Sequence, residues 1–325
     1  MSEAQPATLS SPSPYRGLMK TWRQRIIYLG FIGIFAVFSI VLRDQGFLDP
    51  DNLLNIVRQT AMISIMSVAM TFVLSTGEID LSVGAVAGLA SVVTAMTIRA
   101  FGVAAGTLAG LGSGVLIGAL NGLLTTRVLI PSFLTTLAMM GIAKGVAMWI
   151  SKSAAIPLLS EPYAYVFGGG NIGRFPILFL WTVIFGVVGH VLLRKTSFGR
   201  RVLATGGGET AARYSGVNTK AIKRRVLLAS GATAALAGML YAGRMQSGRF
   251  QFGEGDELSV IAAAVLGGTS LFGGVGTVVG SIIGALMIGL INNGLILMGL
   301  EYSQQLIARG TIIILAVALS QQKQR

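Results

Sequence analysis

Two carboxylates beside an apolar stretch, Glu78 and Asp80, are the residues of this sequence best placed to do chemistry. Acidic side chains at membrane depth are costly and usually mark a gate or a polar pathway, and Glu257 stands beside a second such stretch. Asp80 is also well placed as the N-cap of a helix beginning at Leu81, and Glu257 with its neighbour Asp256 allows the same two interpretations. As an acid–base pair for hydrolysis these groups are poor candidates, because no nucleophile or metal-ligand set accompanies them.

Amide, hydroxyl and aromatic side chains inside the apolar stretches form a second group of candidates. Asn121 and Asn293 lie near helix ends with glycine neighbours, where an amide either bonds between helices or lines a polar pathway. Phe133, Thr135 and Thr136 would suit a wall that passes a polar, uncharged solute. Helix packing explains these three residues equally well.

The composition bounds the class of protein. The chain is 53% hydrophobic and 11% charged, with a mean hydropathy of +0.74, whereas soluble domains carry about 25% charged residues. It is therefore predicted to be an all-α membrane protein that crosses the bilayer many times. Zero Cys and one His exclude disulfides, thiolate metal sites and imidazole clusters. The net charge of +13 comes from basic residues at the ends of apolar stretches, so no nucleic acid is expected as a partner.

Ten apolar stretches predict about ten transmembrane helices, at 26–42, 56–76, 81–98, 103–125, 131–150, 176–193, 226–243, 258–272, 275–297 and 304–320. The stretch 258–272 is short for a complete crossing. With both termini inside, most Lys and Arg fall on the inner side, as membrane topology favours. The organisation predicted is a disordered tail at 1–25, a transmembrane domain at 26–320 and a short tail at 321–325. Lys144 falls within a span, where it either snorkels outward or pairs with an acid.

An internal repeat relates two of these stretches. DLSVGAVAGL at 80–89 recurs as ELSVIAAAVL at 257–266, and the span after each copy ends in Asn-Gly-Leu. In the ten-span arrangement Asp80 starts a helix at the inner side and Glu257 starts one at the outer side. The two halves are thus predicted to form an inverted repeat, an architecture in which transport sites lie between the halves.

The longest polar passage between apolar stretches spans 194–225 and carries nine of the 25 Lys and Arg. Its charge predicts a cytoplasmic position between spans six and seven. The glycines at 206–208 predict a flexible turn, and a short exposed helix is predicted from Glu209 to Ser215, since a carboxylate suits the positive end of a helix. Gly216 stands where helices commonly end. A short helix between two turns would fit a groove in another protein.

Three motifs together make the chain resemble the permease subunits of ribose-type ATP-binding-cassette sugar importers. They are GEIDLSVG at 77–84, ATGGGETAARYSG at 204–216, and the segment 257–274 that ends in LGGTSLFGG. The resemblance extends from about Phe47 to Ala318. Two positions depart from the family pattern, Glu78 where glycine is usual and Val275 where a basic residue often stands.

The resemblance implies a division of labour between several subunits. This chain would be the membrane permease, with no cofactor of its own, while ATP and Mg²⁺ bind a separate cytoplasmic ATPase. A periplasmic binding protein would deliver a sugar, most simply a pentose, and a second identical or different permease copy would complete the pathway in the lipid of the bacterial inner membrane. The residues implied in coupling to the ATPase are Gly208, Glu209, Ala212, Arg213 and Gly216.

Two other functions compete with this interpretation. A proton-coupled secondary transporter would use Glu78, Asp80 or Glu257 as its proton carrier, but it gives the polar passage no role. An intramembrane enzyme would need a nucleophile–base pair or a metal site, which the sequence does not offer. The chain also lacks the Gly-Lys-Ser/Thr ending of a nucleotide-binding P-loop, so no ATPase activity of its own is expected.

Overall fold

The computed structural model describes residues 15–301, 303–308, 310–311 and 314, with side chains described from Ile27 onward. Its longer helices are α1 (Tyr15–Val41), α2 (Pro50–Ser75), α3 (Val83–Phe101), α4 (Val103–Leu123), α5 (Ser132–Ser151), α7 (Ile177–Lys195), α10 (Thr219–Met245) and α12 (Val278–Leu297). The shorter ones are α6 (Glu161–Ala164), α8 (Ser197–Gly207), α9 (Glu209–Tyr214) and α11 (Asp256–Leu266). A 3₁₀ turn at Arg43–Gln45 and π-helical turns at Leu124–Val128 and Tyr165–Gly169 complete the helical elements.

Seven helices in the described part of the chain are long and apolar enough to cross a membrane. They are α2, α3, α4 with its π-helical turn, α5, α7, α10 and α12. This confirms a polytopic all-α membrane protein. Of the other three predicted spans, 26–42 lies in α1, whose apolar part is Ile27–Val41, and 258–272 is represented by α11, which ends at Leu266. The stretch 304–320 lies largely outside the described residues, so the count of ten stays a prediction.

The predicted tails lie mostly beyond what the structure describes. Residues 1–14 and 321–325 are outside the described residues. Helix α1 begins at Tyr15, within the segment 1–25 that the sequence predicts to be a disordered tail.

Helices α2 and α10 lie at the centre of the molecule. Every residue of α2 from 60 to 75 is buried, as expected of a helix that is hydrophobic on all sides. Helix α10 packs against α4, α3 and α2, and α12 packs against α2 and α11. Gly114 of α4 and Gly231 of α10 face each other so closely that a side chain on either would collide with the other's carbonyl, which explains the glycines in these apolar stretches.

Each central helix is followed by a non-helical connection. Residues 76–82 join α2 to α3, and residues 246–255, including strand β4 (Ser247–Gly248), join α10 to α11. Strand β4 pairs antiparallel with β1 (Ile156–Pro157), and β2 (Asn171–Ile172) pairs with β3 (Phe175–Pro176). The first acid of the sequence repeat, Asp80, lies in the connection after α2, whereas the second, Glu257, lies in the first turn of α11 after the connection that follows α10.

Candidate functional site

The polar passage folds into two short helices, α8 and α9, packed at the end of the central helices. Thr196 precedes α8, and its hydroxyl accepts a hydrogen bond from the Gly199 N–H, as an N-cap residue does. Helix α8 packs against α7, α2 and α10, whereas α9 packs against α8 and α10. The passage is therefore seated on α2 and α10 through α8 and presents α9 outward.

The predicted flexible turn at 206–208 is wrong, because Gly206 and Gly207 form the last turn of α8. A Cβ on Gly206 would collide with the carbonyl oxygen of Ser75, the last residue of α2. The same carbonyl accepts a hydrogen bond of 3.0 Å from the N–H of Gly274, in the connection before α12. Gly206 thus permits close packing of three backbones, and Gly208 alone separates α8 from α9.

The predicted short helix is confirmed to within one residue as α9, Glu209–Tyr214. Gly216 follows with φ +82°, the left-handed conformation that commonly ends a helix. Ala212 is buried against the passage and its carbonyl accepts from the Val217 N–H, whereas the side chain of Tyr214 is 89% exposed. One face of α9 therefore anchors it and the other carries an exposed aromatic ring.

Glu209 is the anchor of α9 to α10. Its carboxylate accepts hydrogen bonds from Lys223 at 2.7 Å, Thr219 at 3.0 Å and Arg213 at 3.2 Å. Partial burial acts to raise the pKa of the Glu209 carboxyl, but the hydrogen bond and charge of Lys223, aided by Thr219 and Arg213, outweigh it and lower that pKa below its ordinary value. Glu209 is therefore held ionised.

Lys223 has a second carboxylate partner, Glu78. Its ammonium lies 2.7 Å from Oε1 of Glu78 as well as 2.7 Å from Oε2 of Glu209. The Lys223 side chain is 17% exposed and that of Glu78 10% exposed. The structure therefore places Glu78, predicted for gating, and Glu209, predicted for coupling, in contact with the same cation. That cation, Lys223, is not among the site residues predicted from the sequence.

Asp80 is fully buried, and its carboxylate accepts from the N–H of Ser82 at 2.9 Å and from the Ser82 hydroxyl at 2.6 Å. The amide of Asn121 in α4 donates to the same hydroxyl at 3.0 Å. Of the two roles that the sequence allows for Asp80, the structure does not show the N-cap, because α3 begins at Val83 and Ser82 occupies the cap position. Asp80 instead holds a tight turn just before the helix.

Two hydroxyls of α5 satisfy the backbone of the 76–82 connection. Ser132 accepts from the Ile79 N–H at 3.1 Å, and Thr136 accepts from the Leu81 N–H at 3.0 Å and donates to the Ile79 carbonyl at 3.3 Å. Non-helical backbone at membrane depth needs such internal partners. Ser132 was missed by the sequence analysis, although its spacing of four residues from Thr136 places both hydroxyls on one helix face.

The remaining predicted pathway residues lie apart from one another. Phe133 is exposed on the outside of α5, whereas Thr135 is buried. Asn293 of α12 exchanges two hydrogen bonds with Asn52 of α2, which is the interhelical pairing that its position allowed.

The second copy of the repeat and the connection before it make their own contacts. Glu257 lies in the first turn of α11, and its carboxylate approaches Gly84 of α3 closely enough that a Cβ there would meet it at 2.5 Å. Its neighbour Asp256 accepts a 2.6 Å hydrogen bond from the hydroxyl of Tyr241. Lys144, whose role the sequence left open, pairs with Glu254 at 2.7 Å. In the described part of the chain no three His, Asp or Glu side chains lie together as a metal site would require.

Comparisons with known proteins agree with the motifs. Residues 52–317 match the model of the family described as branched-chain amino acid transport system / permease component. The chain is 40% identical to the ribose import permease protein RbsC of Bacillus subtilis, over 90% of this chain and 92% of that protein.

Two further relatives match almost end to end. The ribose import permease protein RbsC of Escherichia coli K12 is 36% identical over 98% of this chain and all of its own length. The L-arabinose ABC transporter permease protein AraH of Azospirillum brasilense is 36% identical over 99% of this chain and 97% of its own. No solved structure shows a significant match to the chain.

Proposed function

The chain belongs to the family of branched-chain amino acid transport system / permease components, and from that premise we propose that it is the membrane permease of an ATP-binding-cassette importer for a pentose-like sugar. The observation that carries the proposal is the similarity, over nearly the whole chain, to permeases named for ribose and arabinose. Both sugars are pentoses. The other function considered, proton-coupled transport, is not favoured for Glu78, because its carboxylate is paired with Lys223.

Helix α9 is the part of the chain that would dock on the ATPase. It is short and carries the exposed ring of Tyr214, while Glu209 fixes it to α10 and Ala212 bonds to the turn that follows. Gly208 and Gly216 bound it on either side. An exposed aromatic on a rigidly held element is the kind of anchor that binding interfaces use.

ATP and Mg²⁺ would bind the separate ATPase, and this chain would bind neither. A periplasmic binding protein would deliver the sugar at the opposite end, and a second permease copy would complete the pathway. These partners require a position in the bacterial inner membrane with both termini and α9 in the cytoplasm. The density of Lys and Arg at 194–225 supports that orientation.

The two acid-bearing connections are the proposed moving parts of an inverted repeat with ten spans. Residues 76–82 follow α2 and residues 246–255 follow α10, so each connection is a non-helical segment next to a buried central helix. Asp80, Asn121 and Thr136 hold the first connection, and Glu257 reaches from the second half to α3. Thr135 and Phe133 of α5 and Asn293 of α12 complete the residues proposed for gating or for the pathway.

Reconstitution tests the proposal. The chain, its ATPase and its binding protein in lipid vesicles are expected to import radiolabelled ribose or arabinose only with ATP, and the purified chain by itself is expected to hydrolyse no ATP. Uptake that proceeds without the ATPase and collapses with the proton gradient would instead establish a secondary transporter.

A further inference from the structure

Lys223 is the one described residue whose charged group contacts both α9 and the 76–82 connection. Its ammonium lies between Oε2 of Glu209 and Oε1 of Glu78, at 2.7 Å from each. Lys223 and Thr219 stand four residues apart on α10, so one face of that helix holds Glu209 at two points. The three ionised groups form a trio that joins segments far apart in the chain.

The two carboxylates of the trio differ in how many partners they have. The Glu209 carboxylate also accepts hydrogen bonds from Thr219 and Arg213, whereas Lys223 is the only cation paired with Glu78 among the described residues. Without Lys223, a carboxylate that is 10% exposed would be left without its counter-charge, close to a second one. Removing one partner of a buried ion pair is costly, whereas replacing the whole pair by apolar groups often costs little. Apolar side chains at these positions would stabilise the fold about as well, so stability does not explain why charged residues stand here.

The backbone at Glu78 and its neighbour is hydrogen-bonded to helices of the core. Its N–H donates to the carbonyl of Val73 in α2, and its neighbour Ile79 is bonded through both backbone groups to Ser132 and Thr136 of α5. A displacement of α9 relative to α10 would therefore act through Lys223 on the point where α2, α3 and α5 meet.

We propose that Lys223 is a positioning residue that rigidly links Glu209 of α9 to Glu78, so that movement of the ATPase-facing helix reaches the 76–82 connection. The inference rests on the proposed function, in which α9 docks on the ATPase. It assigns to Glu78 a role in transmission, in contrast to a role in sugar contact or proton transfer.

The test uses the complete transporter in vesicles and measures sugar molecules imported per ATP hydrolysed. Glu78→Gln and Lys223→Met remove either side of the Glu78–Lys223 pair. Lys220→Met is the matched control, because Lys220 lies on the same helix turn, is exposed and makes no ion pair in the described structure. Gel filtration of the assembled complex and ATPase activity without sugar serve as checks that each variant folds and docks.

Both variants are expected to hydrolyse ATP while importing about fivefold less sugar per ATP, a factor at the lower end of usual coupling energies between sites. The double variant is expected to lose no more than either single one, because one link is broken in each case. An unchanged ratio in Glu78→Gln, or additive losses in the double variant, would overturn the inference.

The absence of natural cysteines permits a second measurement. Glu78→Cys combined with Lys223→Cys is expected to uncouple transport. A short bifunctional maleimide that joins the two thiols is expected to restore coupling in part, because it ties α10 to the 76–82 connection while Thr219 still holds Glu209 to α10. Restored transport supports a link between residues 78 and 223 that stays closed through the transport cycle. If the cross-linker blocks transport instead, the proposed rigid link is overturned. If the unaltered transporter imports no pentose, the proposed function fails; if it imports pentose but Glu78→Gln keeps its full ratio, only this inference fails.

Discussion

Asn52 of α2 and Asn293 of α12 exchange two side-chain hydrogen bonds, of 3.1 Å and 2.8 Å. Each amide donates to the other's carbonyl oxygen, and the Asn52 amide also donates to the carbonyl of Phe47 at 2.9 Å. Asn293 is buried, and such reciprocal amide pairs hold apolar helices in register where lipid provides no hydrophobic force between them. The pair fixes α12 against the central helix α2.

Asn293→Ala is expected to destabilise the permease by about 1 to 2 kcal/mol, because it removes both hydrogen bonds between the two helices and leaves the Asn52 amide only its bond to the Phe47 carbonyl. Thermal unfolding of the purified chain in detergent measures the effect. Asn292→Ala, at the neighbouring position outside this pair, is the control and is expected to change the melting temperature little. Equal melting temperatures for the two variants would contradict the prediction.

Gly206→Ala is expected to impair transport, because its methyl group would collide with the carbonyl of Ser75 and push α8 away from α2. Overpacking of this kind costs about 1 to 3 kcal/mol. Gly207→Ala is the matched control, since a Cβ there would meet only the Cα of Gly274 at an ordinary 3.8 Å. ATP-dependent uptake in vesicles measures both, and equal activity would show that the α8–α2 contact is not required.

Acid is expected to loosen the anchor between α9 and α10. Since the pKa of Glu209 is lower in the folded protein than in the unfolded chain, its stabilising contribution is complete above the ordinary pKa of a glutamate. It is lost as pH falls through the lowered pKa, when the carboxyl becomes protonated and releases Lys223. Protease cleavage of the polar passage, followed as a function of pH, is expected to accelerate in that acidic range.

The comparison for this prediction is Glu209→Gln, which carries no titrating group at the anchor. Its cleavage is expected to be fast already at neutral pH and to change less on acidification. If the variant and the unaltered protein show the same pH profile, another group is responsible.

Tyr214→Ala is expected to weaken binding of the ATPase about tenfold or more while leaving the melting temperature of the isolated permease unchanged. The ring is 89% exposed and supports nothing in this chain, whereas exposed aromatics commonly anchor interfaces. Titration of the purified ATPase onto the permease in nanodiscs measures the affinity. Tyr165→Ala, which removes an exposed ring outside the polar passage, is the control, and an equal effect at both positions would argue against α9 as the docking element.

The local features of the candidate site could be predicted because they depend on neighbouring residues. The short helix at Glu209 and its end at Gly216 follow from helix-terminal preferences, and the structure has both. The glycines at 206–208 were misread because glycine permits flexible turns and close packing alike. Only the position of the Ser75 carbonyl beside Gly206 decides between the two.

The polytopic membrane character of this chain, its dense polar passage and the short helix in that passage can all be inferred from the sequence. Composition and short-range spacing carry that information, since each apolar stretch must be long enough to match the bilayer. The packed helices are needed to show that Lys223 joins Glu78 to Glu209 and that Ser132 and Thr136 bond to the backbone beside Asp80. These partners come from separate helices, and their meeting depends on how those helices are rotated and packed, which no single stretch of sequence specifies.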